Sequence, residues 1–103
     1  MTVERDKQGF LVNLADWNTK VAEEIASEEG IDLDDSHWEV IHLLREFYHE
    51  YELSPTMRVL AKHCAKELGA EKGSSIYLMQ RFTGSPAKIA CKIAGLPKPT
   101  NCL

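Results

Sequence analysis

Between Ser36 and Glu52 apolar side chains recur at helical spacing, and this stretch limits the possible folds more than any other. Trp38, Ile41, Leu44, Tyr48 and Tyr51 make one stripe, broadened by Val40, Leu43 and Phe47. A stripe that wide must be covered on more than one side, so the helix is expected to be central to the core. Ser36 and Glu39 have capping-box spacing, which predicts a start at Ser36.

Shorter helices are predicted around it. Asn13 is placed to cap a helix running to Gly30 with Trp17, Val21 and Ile25 on one side. Ser54 reads as a cap with Pro55 in the first helical position. The helix they open carries Met57, Leu60, Ala61, Cys64 and Leu68 and stops at Gly69. Ser75 can cap a short helix with Ile76, Tyr77, Met79 and Phe82, and a last helix has Pro86 in its first turn and Gly95 at its close. Ahead of all these, Val3-Glu4-Arg5 and Phe10-Leu11-Val12 flank Asp6-Lys7-Gln8-Gly9, the pattern of two short strands and a turn. The expected fold is mainly α: a compact orthogonal bundle of about five helices with a small N-terminal β-hairpin. Trp38, Ile41, Leu44, Tyr48, Leu60 and Cys64 are expected to be buried. Residues 1–95 form the helical domain. Residues 96–103 contain Pro97 and Pro99 and no amphipathic period, which predicts an extended, flexible C-terminal arm.

Chain length and a hydrophobic fraction of 44% suit one folded domain. No apolar run approaches the roughly 18 residues that span a bilayer, and Met1 to Phe10 has mixed charge without a secretory apolar stretch. A cytoplasmic location without membrane insertion is expected. The net charge of −4 hides a split: residues 1–54 sum to −10 and residues 55–103 to +6. Either a basic face attracts an acidic partner, or the two halves attract each other within the fold.

The three cysteines cannot all pair within one chain, and a reducing compartment disfavours static disulfides. Cys102 stands beside the chain end, where it adds nothing to a core, so an exposed thiol there points to use. Cys91 lies eleven residues earlier, on the last helix, with Gly95 as a hinge between them. A thiol on a helix and a thiol on an arm can form and break a disulfide, or hold a sulfur atom between them. Lys88, Lys92 and Lys98 would favour the thiolate, and with Arg81 they are candidate binding residues or simply a solvated basic face. Cys64, by contrast, sits in an apolar stripe and reads as a core residue. His37, His42, His49 and His63 show no metal-ligand pairing, and no phosphate loop is present, so no metal or cofactor is expected. The turn at Leu53-Ser54-Pro55, with Arg58, Lys62, His63 and Lys66 on the second helix, keeps a helix-turn-helix DNA-binding regulator as a minor alternative. The net negative charge argues against a nucleic-acid partner.

Several segments together resemble the DsrC/TusE family: Gly9-Phe10-Leu11, His37-Trp38-Glu39-Val40-Ile41, Leu44-Arg45-Glu46-Phe47-Tyr48, and above all Pro86-Ala87-Lys88 and Ala90-Cys91-Lys92-Ile93-Ala94-Gly95-Leu96-Pro97-Lys98-Pro99 with Cys102. The resemblance covers essentially the whole chain. It implies a sulfur carrier without independent turnover, with Cys102 accepting sulfur and Cys91 resolving it. On the DsrC side it implies a redox co-substrate of siroheme sulfite reductase, whose arm-bound trisulfide a membrane-linked reductase complex processes. On the TusE side it implies a sulfurtransferase that receives persulfide from upstream relay proteins for tRNA 2-thiouridine formation. TusE proteins usually keep only the terminal cysteine, so Cys91 favours the DsrC branch. Three departures stand out: an N-terminus shorter than usual, Thr83-Gly84-Ser85 before the Pro-Ala-Lys segment, and Asn101 where DsrC members usually carry glycine.

Overall fold

A computed structural model describes residues 3–99, and its architecture is the expected compact bundle of helices. Among these residues α1 spans Thr19–Glu28, α2 Asp35–Tyr51, α3 Met57–Leu68, α4 Ser75–Phe82 and α5 Pro86–Ile93, with 3-10 turns at Leu14–Asp16 and Ala70–Gly73.

The centre belongs to α5 rather than α2. α5 packs against each of the other four helices, and Pro86, Ala87, Ile89, Ala90, Cys91 and Ile93 are buried. Its small residues let neighbours approach closely on several sides. α2 is longer but keeps His42, Glu46 and His49 exposed on one side. Ile41, Leu44, Leu60 and Cys64 are buried as expected, whereas Trp38 and Tyr48 are half-buried at the edge of the core. On α4 the core takes Leu78 and Phe82, while Ile76 is 70% exposed.

The N-terminal β-hairpin is not formed. One isolated antiparallel bridge joins Arg5 and Leu11, and Asp6 N donates to Phe10 O at 2.8 Å. The Asp6 carboxylate accepts from Gln8 N and Phe10 N, taking a donor that a longer ladder would use. The turn is held instead by burial of Phe10 and Leu11 and by Arg5, which donates to Gly9 O and makes two hydrogen bonds to Glu28.

Helix starts also differ from expectation, for α1, α2 and α4 through competition between neighbouring polar residues. Asn13 caps only the first 3-10 turn, and Asn18 starts α1 by accepting from Val21 N at 2.9 Å. Trp17 therefore lies in extended backbone outside the helix. α2 is capped by Asp34, whose carboxylate accepts from Ser36 N and His37 N, while Asp34 N donates to His37 Nδ1. The Ser36 hydroxyl, then the His37 ring, hold the Asp34 carboxyl below the usual carboxylate range. Glu39 is engaged by Lys72 Nζ at 2.8 Å, and His37 reaches across to the Arg81 carbonyl at 2.9 Å. Ser54 is no cap; the residue before α3 is Thr56, without a side-chain bond. Ser74, one residue before the expected Ser75, caps α4 through Tyr77 N.

The charge split is partly consumed inside the fold. Lys92 pairs with Glu29 at 2.7 Å and Lys72 with Glu39, each joining the basic half to the acidic half. Arg58, Lys62 and Lys66 of α3 remain exposed.

Two measurements check this packing. A Cβ on Gly73 would lie 2.4 Å from Ala65 Cβ and 2.6 Å from the Ala61 carbonyl, both fixed by α3. Gly73→Ala is expected to cost about 1–3 kcal/mol in urea unfolding. Gly84→Ala, with open space around it, should stay within about 0.5 kcal/mol of the parent. The second concerns Cys64, whose thiol is pushed by burial from 9.0 up to about 11. A raised folded pKa gives stability that is complete below the unfolded value and lost as pH climbs through the folded one. Wild-type minus Cys64→Ala stability should therefore fall between pH 9 and about 11, read from urea midpoints.

Candidate functional site at the end of the last helix

Pro86 opens α5 at its first turn, where a missing N–H costs nothing. Cys91 lies near the other end, and its side chain is buried. After Ile93 the helix closes in a Schellman arrangement: Leu96 N donates to Cys91 O at 2.9 Å and Gly95 N to Lys92 O at 3.2 Å. Gly95 takes a φ of +76°, which side-chain-bearing residues rarely adopt.

The next two carbonyls find donors far away in sequence. Trp17 Nε1 donates to Ile93 O at 2.8 Å, and Arg45 Nη1 donates to Ala94 O at 2.6 Å. The Arg45 guanidinium stacks over the Trp17 ring at 4.0 Å. Trp17 also lies against Gly95 so closely that a Cβ there would be 2.4 Å from its Cδ1. Two residues further on, Ser54 Oγ donates to Pro97 O at 2.6 Å. The four carbonyls from Cys91 to Ala94, which a helix end leaves open, are thus all satisfied.

The residues expected to form one arm consequently divide. Leu96 is buried in the core cluster and Pro99 is buried too, while Pro97 and Lys98 are exposed. Leu96 packs because the reversal at Gly95 turns the chain back onto the body. Cys102 lies outside the described residues.

The four candidate basic residues are not gathered at one point. Lys92 Nζ is committed to Glu29 and lies 5.9 Å from the Phe10 ring centroid. Arg81 donates from Nε to Ser36 Oγ and covers the Tyr77 ring. Lys88 is half-buried on the first turn of α5, and Lys98 is exposed beyond the helix end. Trp17, Arg45 and Ser54 were not singled out as site residues by sequence reasoning. One signal was present: Arg45 is the only Lys or Arg in α2.

Beside this helix end lies a cleft of about 480 Å³ lined by Trp17, His42, Arg45, Glu46 and His49. Among the described residues no three His, Cys, Asp or Glu side chains are placed to hold a metal ion. No helix among them is long and apolar enough to cross a membrane. The geometry places a buried thiol on α5, at a helix end whose last carbonyls are served by Trp17 and Arg45.

The family model described as "DsrC like protein" matches residues 1–103. The chain is 52% identical over 101 residues to the sulfurtransferase TusE homolog of Haemophilus influenzae, covering 98% of this chain and 93% of that protein. It is equally 52% identical to sulfurtransferase TusE of Sodalis glossinidius, over 98% of this chain and 94% of that one. Among solved structures, DsrC of Allochromatium vinosum superposes with a TM-score of 0.88 at 48% identity, over 96% of this chain and 88% of that one. The oxidized gamma-subunit of dissimilatory sulfite reductase (DsrC) from Archaeoglobus fulgidus superposes with a TM-score of 0.84 at 39% identity, over 98% of this chain and 92% of that one. Matched over residues 1–103 by the family model and over 96–98% of its length by both sets of relatives, this chain belongs to the DsrC/TusE family.

Proposed function

We propose that this protein is a sulfur carrier acting as a sulfurtransferase of the TusE kind, with Cys102 as the residue that takes up sulfur. The observation that carries the reading is near-full-length identity of 46–52% to relatives named sulfurtransferase TusE. This moves the weight from the DsrC branch, which Cys91 alone favours, to the TusE branch.

In the transfer step the Cys102 thiolate attacks the outer sulfur of a donor persulfide. The donor's S–S bond breaks, its thiolate leaves, and Cys102 becomes the persulfide. No net electrons are exchanged, so the step needs neither oxidant nor metal. Passing sulfur onward repeats the exchange in reverse, toward an acceptor thiol in the relay that thiolates the tRNA wobble uridine. The partners in this reading are upstream and downstream sulfur-relay proteins, and the location is cytoplasmic. Exposed Lys98 and half-buried Lys88 suit contact with an acidic partner, while Lys92 and Arg81 already serve Glu29 and Ser36.

A second reading, a DsrC-like co-substrate of siroheme sulfite reductase, is favoured by two observations. Cys91 stands on the central helix as a second thiol, and the similar solved structures are DsrC proteins. Here the Cys91 thiolate attacks the inner sulfur of the Cys102 persulfide, hydrosulfide leaves, and a membrane-linked reductase complex reduces the resulting disulfide.

Loading with a persulfide donor, followed by intact-mass and peptide mass spectrometry, tests both. Cys102→Ser is expected to abolish sulfur uptake, and undiminished uptake by that variant would sink the mechanism. Cys91→Ser is expected to load and pass on sulfur as the parent does. Loss of onward transfer in Cys91→Ser, with loading intact, would favour the second reading.

A further inference from the structure

We propose that the solvent face of α3, where Arg58, Lys62 and Lys66 stand in a row beside Tyr51, Leu53 and Val59, docks the acidic, partly apolar face of a protein partner. This surface is separate from the helix end described above, and the inference holds whichever thiol chemistry the protein performs.

Three observations carry it. First, the charges are arranged against the stability of their own helix. Arg58, Lys62 and Lys66 are exposed and follow one another at i, i+4 and i+8, where like charges repel. Arg58 is also the second residue of α3, whose first turn holds no acidic side chain and whose Thr56 cap makes no side-chain hydrogen bond. A cation there faces the positive end of the helix dipole. Among the described residues no carboxylate lies within ion-pair distance of any of the three, although Lys72 and Lys92 each have one.

Second, the row has apolar neighbours. Val59 shares a face with Lys62, His63 and Lys66 by helical spacing, and it is 40% exposed. Aromatic rings extend that face to the end of α2. His63 meets Phe47 with ring centroids 5.4 Å apart, and Phe47 meets Tyr51 at 4.7 Å. Tyr51 and Leu53 are 53% and 54% exposed. Apolar and aromatic groups inside a charged rim are the make-up of a protein interface.

Third, the size and borders of the patch select the partner. The row is about 12 Å long at the helical rise. Exposed Glu50 and Glu52 stand at one end and exposed Glu67 at the other, so a polyanion running past the row would meet repulsion on both sides. A phosphate chain also offers nothing to Leu53 and Val59. A folded partner can present a few carboxylates and an apolar side chain within that length.

The test titrates the isotope-labelled full chain with a helical peptide carrying three glutamates at i, i+4 and i+8 beside two leucines, and reads amide shifts by NMR. Shifts should centre on residues 51–66 and fade as salt is raised to about 0.5 M. The glutamine counterpart of the peptide should bind about tenfold more weakly. Lys62→Glu separates docking from folding. It turns two like-charge pairs within α3 into attractive ones, so its urea midpoint should rise while its affinity falls about tenfold. Val59→Ser should weaken binding about threefold and leave the salt dependence as it is in the parent. Cys102→Ser should bind as the parent does, so the surface and the sulfur chemistry fail separately.

A photo-crosslinking residue in place of Val59, used in cells, then identifies the natural occupant. The crosslinked segment should be acidic, and the crosslink should fade in Lys62→Glu. Peptide shifts centred away from α3, equal binding of the glutamine peptide, or unchanged affinity in Lys62→Glu overturns the inference. So do crosslinks to nucleic acid or to a second copy of this chain, or crosslinking at position 59 no stronger than at exposed Val12.

Discussion

A helix ends with carbonyls that its own backbone cannot serve, and α5 ends inside the protein, where leaving them bare would be costly. Leu96 and Gly95 serve the first two through the backbone, and Trp17 and Arg45 serve the next two through side chains. The rest of this side of the molecule follows from that arrangement. Gly95 must lack a Cβ because the Trp17 ring occupies the space. Trp17 in turn must leave the helical run, which it does because Asn18 rather than Asn13 caps α1. Arg45 must face α5, and the rotation of α2 that allows this also buries Ile41 and Leu44 and exposes Glu46.

The position of α5 is a matter of size. Ala87, Ala90, Cys91 and Ala94 are small and buried, so four helices can contact one short helix without competing for its surface. The chain's opposite charges then close over this centre. Lys92 on α5 meets Glu29 just past the end of α1, and Lys72 beyond α3 meets Glu39 on α2. Part of the basic excess of the second half is thus used within the fold, while Arg58, Lys62 and Lys66 of α3 and Lys98 stay exposed.

Much of the helical skeleton was legible. The wide stripe of α2, Pro86 and Gly95 bracketing α5, and the apolar position of Cys64 all lie in local spacing, which helix periodicity reports faithfully. Caps were less legible. Asp34 and Ser36 both offer oxygens near the same helix start, as do Ser74 and Ser75 at another, and the choice depends on backbone angles that the neighbours impose. The N-terminal turn shows the same competition: alternation and Gly9 suggest a hairpin, yet the Asp6 carboxylate takes the Phe10 N–H. The candidate site was legible only in its cysteines and in the family signature around them. Trp17 reads as a stripe residue and Arg45 only as part of the family segment, because an amphipathic pattern says which way a side chain faces but not what it meets.

By itself the sequence determined the helices, their stops, and a pair of cysteines eleven residues apart with a glycine between them. The tertiary structure decided that Cys91 is buried on the central helix and that the reversal at Gly95 buries Leu96. It also brought together Trp17 and Ile93, Arg45 and Ala94, Ser54 and Pro97, pairs separated by 76, 49 and 43 residues. Spacing within a helix encodes contacts three and four residues apart. A donor for a carbonyl many turns away is chosen only when packing has set the helices side by side.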